Sequence, residues 1–240
     1  FLIMERVPGR PIWAETFHGP EATQRANFDL FVRLFVRLHL LDWRDLVEDD
    51  TRPFLRNPYH FVDSWLERFR EIAVRMSQPG YKPVLDWLAA RRDTVPCRRP
   101  APIHWDYHPD NILVDETGSA TVIDWTQYEI SDPRFDLAWT MTLIGSAEGE
   151  EVRRRVRRHY EATRGEAVDN LAFFEVFACA KRLASVTISL AAGAEQLGMR
   201  PGAEAAMRRQ IPALRHVYER LLTLAGTPVP EVESLLSNSD

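Results

Sequence analysis

Cysteine is scarce, with only Cys97 and Cys179 in 240 residues. They lie far apart, with no CxxC or Cys/His ligand spacing. That excludes a disulfide framework and reads as two buried or idle thiols. No excess of positive charge exists either. Thirty Lys and Arg face 35 Asp and Glu, for a net charge of -5. Nucleic-acid binders carry a basic face, so no nucleic-acid partner is expected. Long apolar runs are missing too. The nearest approach, residues 183–194, is short and follows Lys181 and Arg182, so it reads as a buried helix segment and not as a membrane span. The chain opens on no basic segment followed by an apolar run. The expectation is a soluble, cytoplasmic protein with no membrane partner. Repeats and low-complexity tracts are also absent. What is present is a 45% hydrophobic, 27% charged composition, which suits one folded unit, or one large and one small, with a full core.

Periodicity predicts a mostly helical chain. Residues 1–7 are short and apolar and end at Pro8-Gly9, so they read as a strand and turn. Apolar residues at three-to-four spacing, from Phe28 to Leu41, predict an amphipathic helix over 24–41 with Arg33 and Arg37 on its wet side. Further helices are expected over 59–76 and 81–91, separated by Pro79-Gly80. Residues 93–102 read as a connector. Ile112-Leu113-Val114 and Thr121-Val122-Ile123 flank Asp115-Glu116-Thr117-Gly118, the pattern of a small hairpin. Asp132-Pro133 reads as an N-cap followed by Pro at the first helical position, with a helix to about residue 143. Helices over 149–163, 169–196 and 203–225 follow. Residues 226–240 are expected to form a flexible tail. Arg153-Arg154-Arg155 with Arg157 and Arg158 reads as a solvated helix face paired with Glu150 and Glu151.

The chemistry gathers around the hairpin. Phosphoryl transfer needs a carboxylate near the acceptor hydroxyl and oxygen ligands that hold Mg²⁺ against the phosphates. Protein kinases supply these from H-R-D-x-x-x-x-N and, after a hairpin, an Asp. Here His104-x-Asp106-x-x-x-x-Asn111 has that spacing, and Asp124 ends the second hairpin run.

The stretch HWDYHPDNILVD, then TVIDWTQYEISDPRFDLAW, resembles the aminoglycoside phosphotransferase and choline kinase-like phosphotransferase family. Phe-Leu-Ile-Met-Glu-Arg-Val-Pro-Gly at residues 1–9 resembles that family's hinge strand, and Arg37-Leu38-His39 a helix end that recurs in it. The resemblance spans residues 1–145. It implies an α+β, predominantly helical, protein-kinase-like C-terminal lobe with a small central β-hairpin and with the N-terminal lobe absent. Residues 1–9 would be a remnant of the hinge strand. Residues 10–225 would be the helical lobe, with the catalytic loop and metal-binding hairpin at 104–124. It implies an ATP- or GTP-dependent transfer of the γ-phosphoryl group to a hydroxyl of a small molecule such as an aminoglycoside or a related amine or sugar. Asp106 would be the catalytic base, with Asn111 and Asp124 as Mg²⁺ ligands. The backbone around Met4, Glu5 and Val7 would meet the adenine. His104, His108 and Asp136 would support the loop. The sequence departs from the family pattern at Trp105, where a glycine is usual. The Gly-rich loop and its lysine would lie before Phe1, so this chain alone is expected to be a poor catalyst. Acceptor identity, the choice of ATP or GTP, and oligomeric state stay open.

Two other readings compete. A non-catalytic kinase-like binding module would need only the fold. A metallohydrolase would use the alternation of His104, Asp106 and His108 to face Zn²⁺, but Pro109 ends any strand there, and His18, His39, His60, His159 and His216 add no ligand-like spacing.

Overall fold

Three-to-four spacing places Phe28, Phe31, Val32, Phe35 and Val36 on one side of α2 (Glu21–Leu40), and all five are buried. Phe35 stacks on Tyr107 with ring centroids 4.1 Å apart. The Tyr107 hydroxyl donates to the Phe31 carbonyl at 2.8 Å, so α2 is bolted to the loop that holds the candidate site. The computed structural model describes residues 6–46, 53–193, 198–199 and 201–238.

α1 (Trp13–His18) packs on α2. α3 (His60–Arg75) and α4 (Lys82–Ala89) follow, joined through the Pro79-Gly80 turn. β1 (Arg10–Pro11), β3 (Ile112–Val114) and β4 (Ala120–Val122) form one antiparallel sheet in the order β1-β3-β4, with Leu113 opposite Thr121. β2 (Ala101–Ile103) and β5 (Glu129–Ser131) form a second, with Pro102 opposite Ile130. The centre is helical. α5 (Pro133–Glu148) packs against α6 (Glu150–Arg164), α7 (Leu171–Ala192) and α9 (Ile211–Ala225). The Asp132 side chain accepts from the Arg134 N–H and caps α5. The fold is thus predominantly helical with two small sheets. Among the described residues no helix is long and apolar enough to cross a membrane.

Several expectations need correction. Residues 1–5 of the expected opening strand lie outside the described residues; residues 6–9 have no regular structure, and pairing starts at Arg10. Gly9 has φ of +129°, and a Cβ there would lie 3.0 Å from the Val114 backbone, so only glycine lets β1 approach β3 this closely. The connector over 93–102 already contains the start of β2. Pro102 is tolerated because a two-stranded sheet leaves each strand an open edge. The single helix expected over 203–225 is two, α8 (Ala203–Arg209) and α9, because Pro212 has no N–H to continue the ladder across Gln210.

The flexible tail is instead partly a packed helix, α10 (Pro230–Ser237). Val229, Val232 and Leu236 are buried. Glu231 accepts from the Gly80 N–H at 2.8 Å, and the Tyr218 hydroxyl donates to Glu233 at 2.9 Å. The basic run is not all solvated. Arg153 is buried and bridges Glu150 and Glu175.

Candidate active site

β2 ends at Ile103 and β3 begins at Ile112, so the eight residues between them form a loop slung between two sheets. A buried carboxylate holds its start. Asp136 is in the first turn of α5 and is fully buried. Its Oδ2 accepts from the His104 N–H at 2.8 Å and its Oδ1 from the Trp105 N–H at 2.9 Å. His39 of α2 lies 3.2 Å from the same Oδ2, and its Nδ1 faces the Tyr160 hydroxyl of α6 at 2.8 Å. A carboxylate can only accept, so His39 donates from Nε2 and receives the phenol proton at Nδ1. Burial pushes the Tyr160 phenol up to about 12.

The loop is also tied to the strand that carries Asp124. His104 Nε2 donates to the Ile123 carbonyl at 2.8 Å, and the Ile123 N–H donates to the Asn111 carbonyl at 2.9 Å. The Asp106 N–H reaches His104 Nδ1 at 3.3 Å. His104 is therefore the Nε2–H tautomer, occupied at both nitrogens. Asn111 is thereby paired with Ile123, the residue before Asp124. Asp124 is exposed and sits in the left-handed region (φ 62°, ψ 55°). One of its oxygens accepts from the Thr126 hydroxyl at 2.9 Å.

Asp106 is half-buried. Asn111 Nδ2 donates to its carbonyl at 2.8 Å and lies 3.4 Å from its Oδ2. His108 Nε2 is 3.6 Å from its Oδ1. Burial pushes the Asp106 carboxyl up, but His108, His104 and Asn111 outweigh it, and the group lies below the ordinary carboxylate value. It is ionised near neutral pH, as a proton acceptor must be. His108 Nδ1 is buried with no partner among the described residues.

The donor set suits a hard cation. The Asn111 amide nitrogen is spent on Asp106, which turns its oxygen away as an available ligand, and Asp124 presents an exposed carboxylate. Mg²⁺ asks for one or two such protein oxygens plus phosphates. The zinc alternative fares worse. Among the described residues no three His, Cys, Asp or Glu side chains gather as a ligand set, and both His104 nitrogens are taken. Of the expected nucleotide-contacting residues, Met4 and Glu5 lie outside the described residues. Val7 is half-buried and leads into β1, which pairs with the site's own hairpin.

Trp105 explains its own oddity. Its φ is +63°, the conformation in which glycine is free of strain. Its indole is 2% exposed, wedged among Trp65, Phe135 and Phe177. The anchoring roles of His39 and Tyr160 escape sequence reasoning, since they come from helices far away in the chain. The Arg-Leu-His at the end of α2 is the one local signal.

The model of the phosphotransferase enzyme family matches residues 1–174. A crystal structure from Ralstonia eutropha JMP134, provisionally described as an aminoglycoside phosphotransferase, superposes with a TM-score of 0.67 at 21% identity, covering 92% of this chain and 72% of that one. That likeness shows the fold. Ethanolamine kinase from Plasmodium vivax overlays more loosely, with a TM-score of 0.47 at 12% identity over 96% of this chain and 65% of that one. The uncharacterized protein YcbJ of Bacillus subtilis strain 168 is 40% identical over 47 residues, 19% of this chain and 15% of its own length. With its family model spanning most of the sequence, the chain belongs to the phosphotransferase enzyme family.

Proposed function

We propose that this chain carries the acceptor-side machinery of an ATP- or GTP-dependent phosphotransferase that phosphorylates a hydroxyl of a small molecule. The observation that carries the reading is the joining of Asp106, Asn111 and Asp124. The first two are hydrogen-bonded on one loop, and that loop is pinned to the third through Ile123. In this reading Asp106 accepts the hydroxyl proton as the acceptor oxygen bonds to the γ-phosphorus and the bridging bond to the β-phosphate breaks. Asn111 Oδ1 and the Asp124 carboxylate would hold Mg²⁺, which would neutralise charge on the phosphates. His104 and Asp136 keep the loop in register, and His108 holds the Asp106 carboxylate low. The backbone near Val7 meets the nucleotide base. This reading takes these residues as the larger lobe of a kinase-like enzyme and sets the reaction in the cytoplasm. No comparison bears out the expectation that the chain alone is inactive. The family resemblance suggests an aminoglycoside or a related amine or sugar as acceptor.

Calorimetric titration with ATP and GTP, with and without Mg²⁺, tests this. Mg²⁺-dependent binding that weakens at least about tenfold in Asp124→Asn is expected. Asp106→Ala should abolish transfer while leaving that binding in place. Nucleotide affinity indifferent to both Mg²⁺ and Asp124 would refute the reading.

A further inference from the structure

α7 turns a lysine toward the catalytic loop. The Lys181 ammonium lies 3.9 Å from the centroid of Trp139, 4.4 Å from that of Trp105 and 5.7 Å from that of Trp65. Among the described residues it has no carboxylate partner within ion-pair distance. Glu129, whose charge also acts on Lys181, is engaged elsewhere. One oxygen accepts from both the Trp105 and the Trp65 indole N–H groups, at 2.9 and 3.1 Å. Donors without acceptors collect around the lysine. Trp139 Nε1 is buried with no partner; Nε of Arg182, the next residue along α7, has none either, although its guanidinium bonds Gln210 through another nitrogen. Buried donors are ordinarily satisfied, so an unmet indole N–H beside an unpaired ammonium points to an acceptor-rich guest.

Lys181 also lines a cavity of about 260 Å³ between α3 and α7. Its walls are apolar: Trp65, Phe69, Ile72, Phe177 and Ile188. Arg68 also lines it, with its guanidinium over Trp65 at 4.5 Å. Asp106 lies close enough for its charge to act on both Lys181 and Arg182. Lys181 therefore links the cavity to the catalytic loop: it lines the one and lies over Trp105, the residue before Asp106. An amine acceptor entering here would meet two cations and no free carboxylate on α7.

We infer that the acceptor is a hydroxyl compound with an apolar body and an anionic group, its anion held by Lys181 and its hydroxyl presented to Asp106. This rests on the phosphotransferase reading above, and it departs from the amine acceptor that the family resemblance suggests. Lys181 is a specificity-determining residue in this arrangement. Burial pulls its proton affinity down, and Asp106, Glu129 and Asp136 pull it up, for a net value of about 8. The side chain stays a cation at neutral pH.

Three matched probes test the inference: 4-(hydroxymethyl)benzoate, 1,4-benzenedimethanol and 4-(aminomethyl)benzyl alcohol. They share a ring and a hydroxymethyl group and carry opposite it a carboxylate, a second hydroxymethyl or an aminomethyl group, so that the charge is negative, zero or positive. Binding to the full chain is measured by ligand-observed NMR in the presence of Mg²⁺ and a non-hydrolysable ATP analogue. The carboxylate should bind about tenfold or more tightly than the diol, and the amine no better than the diol. Lys181→Met should erase the difference between carboxylate and diol. Equal binding of the three, preference for the amine, no binding of the carboxylate, or a preference that survives Lys181→Met overturns the inference. Nucleotide titration of the same samples separates the two levels. If Mg²⁺-dependent nucleotide binding is intact while the charge preference is missing, the acceptor class alone is wrong. If nucleotide binding is missing as well, the phosphotransferase reading fails and takes the acceptor class with it.

Discussion

Replacing Lys181 with methionine should make the folded chain more stable at neutral pH. The lysine's proton affinity is lowered from the ordinary 10.5 to about 8, with burial the largest cause. That difference corresponds to about 3 kcal/mol of penalty on the charged form in the folded state. The faces of Trp105 and Trp139 return about 0.5–2 kcal/mol of it through cation–π attraction. Methionine keeps most of the apolar stem and its packing. The net expectation is a gain of about 1–2 kcal/mol for Lys181→Met. The sign with pH follows from linkage. Because the folded value is lower than the unfolded one, the penalty is complete below about pH 8 and fades as pH rises toward 10.5. Urea unfolding of both proteins across that window gives the comparison. The variant should lead at neutral pH and lose its lead by the upper end of the window. A variant less stable than the parent at neutral pH, or a difference that does not change with pH, would refute the reasoning. The lysine would then be a contributor to the core and not a charge held ready for a ligand.

Other expectations follow from features already described. Asp136→Asn puts an amide NH₂ or an unmatched oxygen against the His104 N–H, the Trp105 N–H and His39, at a cost of about 2–4 kcal/mol in urea unfolding. If the loop drives transfer, kcat should fall while nucleotide affinity changes little. Gly80→Ala drives a methyl group into the Glu231 carboxylate and the Pro230 ring, so α10 must shift. A loss of about 1–3 kcal/mol is expected in thermal unfolding, with none of it recovered by changing pH. An unchanged midpoint would mean that α10 is not seated on the Pro79-Gly80 turn.

What was legible from the sequence was local. The His104 to Asn111 spacing, the hairpin and the Asp132 cap each depend on neighbours a few residues apart, where turn chemistry and side-chain type act directly. β2 and β5 escaped because each is three residues long and their pairing joins residues about thirty apart, with Pro102 masking the first strand. The tail was misread because polar Glu231 and Glu233 are satisfied by Gly80 and Tyr218, partners that no window of sequence shows. The same holds for the surroundings of Lys181. Lys181 looks like the polar rim of an apolar helix until folding sets it against Trp105 and Trp139. Arg153 fell on an apparently basic face, yet Glu175 of α7 draws it inward.

The left-handed backbone of Trp105 shapes how this position can change. Glycine is at ease there but leaves a hole where the indole sat. Tryptophan fills the hole and tolerates the strained backbone, at roughly 1–2 kcal/mol. Alanine would combine the strain of one with the emptiness of the other. Serine or valine would do little better. Residue 105 therefore has two workable solutions with a ridge between them, and substitutions that pass through small side chains should be the ones this loop rejects.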